Sequence, residues 1–278
     1  LIHCGGPFIH TAQNVIEACI ETNTHYLDIT GEYQVFDLAQ GYNEEAKKKG
    51  LMIMPGTGFD VVPSDCLASH LKGKLPDAEE LQLAFVSKGG RLSRGTTKTM
   101  IENLGDSQVV RRNGKYDYQV LGTSSQEINF GKFKHLAMGI SWGDISSAYY
   151  STGIPNIEVF SGTDEDQLNK VKKMAKISFL LKSRLVKNFL KSKLDKKPDG
   201  PSGEKREASN MYLWGMVKNG GAKVEARLTT PNGYTLTAKT AVLIAQKIMD
   251  GNFKAGYQTP STAYGEGLIL EVDGCQMY

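Results

Sequence analysis

Leu51-Met52-Ile53-Met54-Pro55-Gly56-Thr57-Gly58-Phe59-Asp60 is the stretch on which the fold turns. Four apolar residues predict a short buried strand, and Pro55-Gly56 breaks it. The same arrangement stands upstream, where Tyr26-Leu27-Asp28-Ile29-Thr30 is a strand and Gly31 follows it. Between the two strands the sequence predicts a helix to about Lys49, with Phe36, Ala39 and Ala46 inward and Gly50 ending it in the C′ position. Before them, Thr11 to Thr22 carries Ala12, Val15, Ile16, Cys19 and Ile20 at helical spacing. Leu1-Ile2-His3-Cys4 reads as the end of a further buried strand entering Gly5-Gly6-Pro7-Phe8. Strands alternating with helices through short loops predict parallel βαβ units with helices on both faces.

In such sheets a ligand lies outside the carboxyl ends of the strands. Three loops gather there: residues 5–8, 28–32 and 55–60. Their glycines either admit a flat or charged ligand to the backbone or only make turns, and spacing alone does not separate the two. Beyond residue 75 the pattern changes. Leu81 to Ser87 alternates like a half-buried strand. Asn113-Gly114 and Asn219-Gly220 each sit between two strand-like runs, which is a hairpin signal. Helices are expected from Asp65 to Lys72 with Ser64 as N-cap, from Thr96 to Leu104, from Asp144 to Thr152 and from Tyr234 to Asp250. The fold class is therefore α/β: part of a doubly wound parallel sheet, then an α+β region with a mixed sheet.

Gly5-Gly6-Pro7-Phe8, His25-Tyr26-Leu27-Asp28-Ile29-Thr30-Gly31-Glu32 and Gly58-Phe59-Asp60-Val61-Val62-Pro63-Ser64-Asp65 together resemble the saccharopine dehydrogenase-like oxidoreductases, and within them the trans-acting enoyl reductase-like branch. The resemblance continues in order through Arg94-Gly95-Thr96, Ser151-Thr152-Gly153-Ile154-Pro155-Asn156 and Thr259-Pro260-Ser261-Thr262-Ala263-Tyr264-Gly265. It implies a nucleotide-binding Rossmann domain, a second α+β domain after it, and redox chemistry with NADP or NAD. One departure stands out: the sequence contains no GxGxxG, the loop that seats pyrophosphate on free N–H groups at a helix N-terminus. The chain thus reads as N-terminally truncated within this family. Residues 1–75 would be the back half of a Rossmann domain, and residues 76–278 an α+β substrate and dimerisation domain. On that reading the chain alone binds NAD(P) weakly.

Candidate residues follow. Gly5, Gly6, Pro7, Phe8, Gly56, Gly58 and Phe59 would line the nicotinamide side of the cofactor. Asp60, in the glycine loop facing the expected cleft, is the leading catalytic acid or base, with Asp144 and Tyr149 as further candidates beside Trp142. Asp65 reads rather as a first-turn helix acid. Arg94 and Thr96, before a helix, would hold a carboxylate or phosphate, or else form an ordinary N-cap with a solvated Arg. The five histidines show no metal-ligand spacing, so no metal site is expected.

Composition bounds the rest. The chain has 278 residues, 40% apolar and 23% charged, which excludes a disordered or fibrous chain. No apolar run reaches the roughly 18 residues of a membrane span, and no signal peptide is recognised at the start. The four cysteines form no CxxC and are expected as buried thiols of a cytoplasmic protein. The net charge of +3 conceals a local +10 between Lys170 and Arg206, 13 Lys or Arg against 3 acids, which leaves −7 elsewhere. An acidic remainder argues against a nucleic-acid partner. The basic stretch is either a solvated helix face or a docking face for a membrane surface or an acidic carrier domain. The function expected is hydride transfer to or from a small or carrier-bound substrate by a homodimer; a non-catalytic oligomerisation or docking module is the alternative.

Overall fold

The computed structural model describes residues 1–88, 107–177 and 209–278, with isolated positions between 183 and 192. The expected helix 96–104 and the residues Arg94 and Thr96 lie outside them. Parallel strands β1 (Ile2–His3), β2 (Tyr26–Asp28) and β3 (Met52–Met54) form the first sheet, and its fourth strand is β12 (Gly256–Tyr257), giving the order β1-β2-β3-β12. Gly256 pairs with Met52 and Tyr257 with Ile53, both parallel. The parallel sheet is therefore not built by residues 1–75 alone, as the division at residue 75 had it; a segment near the other end of the chain completes it.

Helix α1 (Ala12–Glu21) buries Ala12, Ile16, Cys19 and Ile20, the predicted face. The single helix expected after Gly31 is two: α2 (Tyr33–Gly41) and α3 (Asn43–Lys49), broken at Tyr42. Bonds to other elements fix the break. The Tyr42 hydroxyl donates to Glu17, and the Tyr257 N–H donates to Asn43 Oδ1 at 2.9 Å. Gly50 closes α3 at φ 66°, a left-handed conformation that glycine adopts without strain.

The next helix, α4 (Val62–Lys74), starts earlier than expected and runs through Gly73. Ser64 lies inside its first turn and gives its proton to the Val61 carbonyl, so it is not the cap. Pro63 fits the first turn, where an N–H would lack an intrahelical partner anyway. Every residue from Val62 to Ala68 is buried, as is Leu71. The first two turns of α4 are enclosed by protein, while Gly73 and Lys74 at its end reach solvent; the helix packs on α5 (Asp144–Thr152), on β10 (Asn210–Lys218) and β11 (Lys223–Pro231), and on the 3-10 turn Glu266–Glu271.

The second sheet runs β13 (Gln276–Met277), β11, β10, β4 (Glu80–Lys88), β9 (Asn156–Gly162), β5 (Gln108–Arg112), β6 (Lys115–Gln119), with the hairpin β7 (Ser125–Asn129) and β8 (Lys134–Ile140) attached to β9. Among the described residues only β4 with β9 is parallel within it, so the sheet is mixed as expected. The 113–114 turn has φ 50° at Asn113 and 76° at Gly114, the type I′ geometry its residues predicted. The 219–222 turn is longer, and Asn219 Oδ1 accepts from the N–H groups of Gly221 and Ala222. Strand β4 is not half-buried. Leu81 and Leu83 join the core around α4, while Ala84 and Val86 join a second cluster with Phe130, Phe160, Trp214 and Met216. Strand β4 thus packs apolar residues on both of its faces.

Among the cysteines, Cys19 and Cys66 are buried, Cys275 is half-buried, and Cys4 is exposed in the loop after β1, against the expectation that all four would be buried. One glycine sets how closely α4 meets the sheet. A Cβ at Gly215 on β10 would lie 2.6 Å from Leu71 Cδ1 and 3.1 Å from Leu67 Cγ, both enclosed. Gly215→Val is expected to destabilise the protein by about 1–3 kcal/mol through overpacking, read as a lower denaturation midpoint; an unchanged midpoint would show that α4 can shift.

Candidate functional site

The loops after β1, β2 and β3 come together as the parallel sheet requires, and a buried carboxylate fastens two of them. Asp28, at the end of β2, accepts from the Tyr26 hydroxyl at 2.7 Å, the Thr30 N–H at 2.9 Å and the Gly56 N–H at 2.8 Å. Burial raises its pKa to about 6, against the pull of those donors. Its backbone carbonyl accepts from both Thr57 Oγ1 and the Thr57 N–H. Asp28 is thus a fastener for the glycine loop.

The glycine loop itself is enclosed. Gly56 has φ 71°, and a Cβ there would meet Phe36 Cζ at 2.6 Å and Val61 at 3.0 Å. A Cβ at Gly58 would meet Thr237 Cγ2 at 2.7 Å. Thr237 belongs to α7 (Gly233–Met249), which lies over the loop: the Phe59 N–H donates to Thr237 Oγ1, and Thr240 Oγ1 donates to the Thr57 carbonyl. Gly56, Gly58 and Phe59 are buried by protein, so their expected place against a cofactor is taken by Phe36 and α7. The covering helix comes from nearly two hundred residues away, and no local pattern announces it.

The first loop differs. Gly5 and Gly6 are exposed, Pro7 is half-buried and Phe8 buried. The Glu32 carboxylate accepts from the N–H groups of Phe8 and Ile9, at 3.0 and 2.8 Å, and Thr11 Oγ1 donates to the Gly5 carbonyl. These bonds leave Gly5-Gly6 as open backbone at the carboxyl edge of the sheet.

Three acids gather around the start of α4. Asp60 stands at the open end of the glycine loop, partly exposed beside Gly31, where a Cβ would come within 3.2 Å of its Oδ2. Desolvation raises its pKa to about 7, and among the described residues no hydrogen bond or ion pair offsets it. Asp65 is buried and fully answered: Ser151 Oγ donates to one oxygen at 2.6 Å and the Ser261 N–H to the other at 2.7 Å. Asp65 thereby ties α4 to α5 and to α8 (Pro260–Tyr264), a role for Ser151 and Ser261 that the sequence did not reveal. Asp144, at the first position of α5, is completely buried with neither oxygen hydrogen-bonded. Ser64 is its polar neighbour, but that hydroxyl's proton is given to Val61. Burial, then the charges of Asp65 and Asp60, raises Asp144 to about 8, so it is predominantly neutral at physiological pH.

Tyr149 does not join them. Five residues along α5 from Asp144, it projects about 140° away around the axis and lies exposed over the guanidinium of Arg111, 4.1 Å from its ring centre. Tyr116 covers Arg111 from another ring at 4.4 Å, and Arg111 donates to the carbonyls of Ile145 and Gly114. Arg112 pairs with Glu158 at 2.9 Å. Both arginines serve the hairpin and the sheet. Trp142 lies in a run of ring contacts, Phe59 to Phe85 at 5.7 Å and Phe85 to Trp142 at 4.9 Å, which forms an aromatic wall leading from Asp60's neighbour. Asp60 and Asp144 are therefore brought together, Gly5 and Gly6 remain open, and Tyr149 stands apart.

No family model matches the chain. A human saccharopine dehydrogenase-like oxidoreductase is 31% identical over 118 residues, 40% of this chain and 28% of that protein. An Arabidopsis thaliana protein named as a mitochondrial saccharopine dehydrogenase-like oxidoreductase is 32% identical over 133 residues, 46% of this chain and 25% of that protein. The matched region thus spans about a quarter of these relatives' length. In fold, the chain superposes on apo saccharopine dehydrogenase (L-Glu forming) from Saccharomyces cerevisiae with a TM-score of 0.60 at 11% identity, covering 97% of this chain and 81% of that one. The resemblance to the saccharopine dehydrogenase-like oxidoreductases holds in sequence and in fold. The expected cytoplasmic location is corrected by the same comparison, since a relative this similar carries a mitochondrial name.

Two predictions follow from the geometry. Gly56→Ala should destabilise the protein, because it combines a left-handed φ with an encroachment on Phe36; equilibrium unfolding measures it, and a neutral result would show that Phe36 can turn aside. Asp144 holds its proton more tightly folded than unfolded, so its contribution to stability is full below the ordinary carboxyl pKa and falls as pH rises through about 8. Asp144→Asn removes the ionisation, and the melting-temperature gain should be larger at pH 8 than at about pH 5, by about 3 °C or more. An equal effect at both pH values would place a charged Asp144 in the fold.

Proposed function

We propose that this chain supplies the substrate-side half of a nicotinamide-dependent oxidoreductase site, with Asp60 as its proton-handling group. The observation that carries the reading is the Asp60 carboxyl, held to about 7 by desolvation beside the side-chain-free Gly31, at the carboxyl edge of a parallel sheet. A carboxyl poised near neutrality can give or take a proton at physiological pH, as general acid–base chemistry requires.

The residues fit one end of an NAD or NADP molecule. Open backbone at Gly5-Gly6 leaves room for a flat ring against the sheet edge, with no Cβ in the way. For the pyrophosphate the chain offers no GxGxxG, so that contact is not assigned to these residues. A bound nicotinamide supplies the hydride. The chain's own part is to keep water from the reacting region with Phe85 and Trp142 and to hold a proton on Asp60, whose neutral form desolvation favours. Because Arg111 and Arg112 are engaged within the protein, the reading favours a small or carrier-bound substrate with few carboxylates over one with several.

The test is Asp60→Asn in the native protein. It should lower the rate of nicotinamide oxidation by about a hundredfold and remove the pH-rate limb near 7, with the melting temperature preserved or raised. A carboxyl-carbon NMR titration of Asp60 should show its midpoint near 7 independently of any substrate. Wild-type turnover in Asp60→Asn would make the residue structural and remove the proton-handling role.

A further inference from the structure

The stripe Val171, Met174, Ile177 has the spacing of a buried helix face, yet Met174 and Ile177 remain exposed. Helix α6 (Glu165–Ala175) anchors itself through Leu168, its only fully buried residue, and through half-buried Val171, which lies against Gly122. Met174 is 36% exposed and Ile177 45%. Met174 lies about 120° around the axis from Leu168, and Ile177 follows in the turn after the helix. They share that outward side with Lys170 and Lys173, while Lys172 and Lys176 flank it; all four lysines are exposed. The acids of the helix, Glu165 and Asp166, are confined to its first turn, so the basic and apolar groups accumulate toward its C-terminal end. The sequence continues the same bias, with nine further Lys or Arg against three acids up to Arg206.

We infer that this face of α6 docks on an anionic phospholipid surface. Two observations select that occupant. Exposed aliphatic side chains among lysines suit an interface in which the apolar groups enter the acyl boundary and the ammonium groups remain at the phosphates. The charge is spread over four exposed lysines along one helix and the turn after it rather than gathered at one point, which suits a field of headgroups rather than one bound anion. The remainder of the chain carries −7, so a like-charged membrane repels the body and the contact is confined to this face. The inference is independent of the oxidoreductase reading, since it uses none of the residues placed at that site.

Vesicle co-sedimentation tests it on the intact protein. Phosphatidylcholine vesicles containing phosphatidylserine should sediment the chain, pure phosphatidylcholine vesicles should not, and raising salt from about 0.1 to about 0.5 M should weaken the binding. Lys170→Glu with Lys173→Glu should reduce the affinity by about tenfold or more. Met174→Ser with Ile177→Ser, which keeps the charge, should reduce it separately, and both pairs are exposed so the melting temperature serves as the control for folding. Equal sedimentation with neutral vesicles, or full binding by both double variants, would overturn the inference. So would capture by polyglutamate without any vesicle binding, which would assign the face to an acidic protein.

Discussion

A helix start with no solvent-facing side must have its polar groups answered from within, and the first two turns of α4 impose that condition on everything around them. Its apolar residues fill the space between the parallel sheet and the mixed sheet. Its one fully buried acid, Asp65, would be intolerable without donors, and it obtains them from α5 and α8, elements far apart in sequence. Position follows from that exchange. With α4 fixed, Val61 and the glycine loop before it are fixed, Phe36 is held between Gly56 and Gly143, and Asp60 is left at the one partly open corner. Close approach by Gly215 on the other side completes the enclosure.

The same enclosure accounts for the unequal behaviour of the carboxyls. Asp28 and Asp65 are surrounded by donors and act as fasteners. Among the described residues neither partly exposed Asp60 nor buried Asp144 accepts a hydrogen bond, and desolvation drives each toward its neutral form. Identical side chains within one neighbourhood are thus divided into structural and chemically poised members by whether an N–H or hydroxyl is aimed at them. The proton affinity of Asp144 also limits the local charge. If Asp144 ionised, Asp60 and Asp65 would face a third negative charge in a medium that screens it weakly.

Much of the architecture was legible because it depends on short-range chemistry. The α1 face, the Gly50 stop, the Asn113-Gly114 turn and the Gly153 end of α5 all follow from spacing or from residues that tolerate positive φ. What was not legible depends on distant partners. Tyr42 breaks a helix because Glu17 and the β12 segment hold the chain there. The glycines of residues 56 and 58 looked like room for a ligand, and the room is filled by Phe36 and by a helix that begins at Gly233. At the candidate site the partial exposure of Asp60 was legible because it follows from its place at the end of the loop. Tyr149 misled because proximity along the chain said nothing of which side of α5 it would occupy.

The fourth strand of the parallel sheet has a consequence for how the protein is made. Gly256 pairs with Met52 across 204 positions of sequence. During synthesis the first three strands leave the ribosome early, and β3 must then wait with one side unpaired while the mixed sheet is translated and assembled. Loop-closure entropy makes such a pairing late as well as slow. The growing chain therefore carries an exposed β-edge from the emergence of β3 until β12 arrives, the condition under which another strand can pair in error and a holding chaperone has most to protect. Closing that edge is also what brings α7 over the glycine loop, since α7 immediately precedes β12. The glycine loop that carries Asp60 gains its cover only when the residues of α7 and β12 are in place.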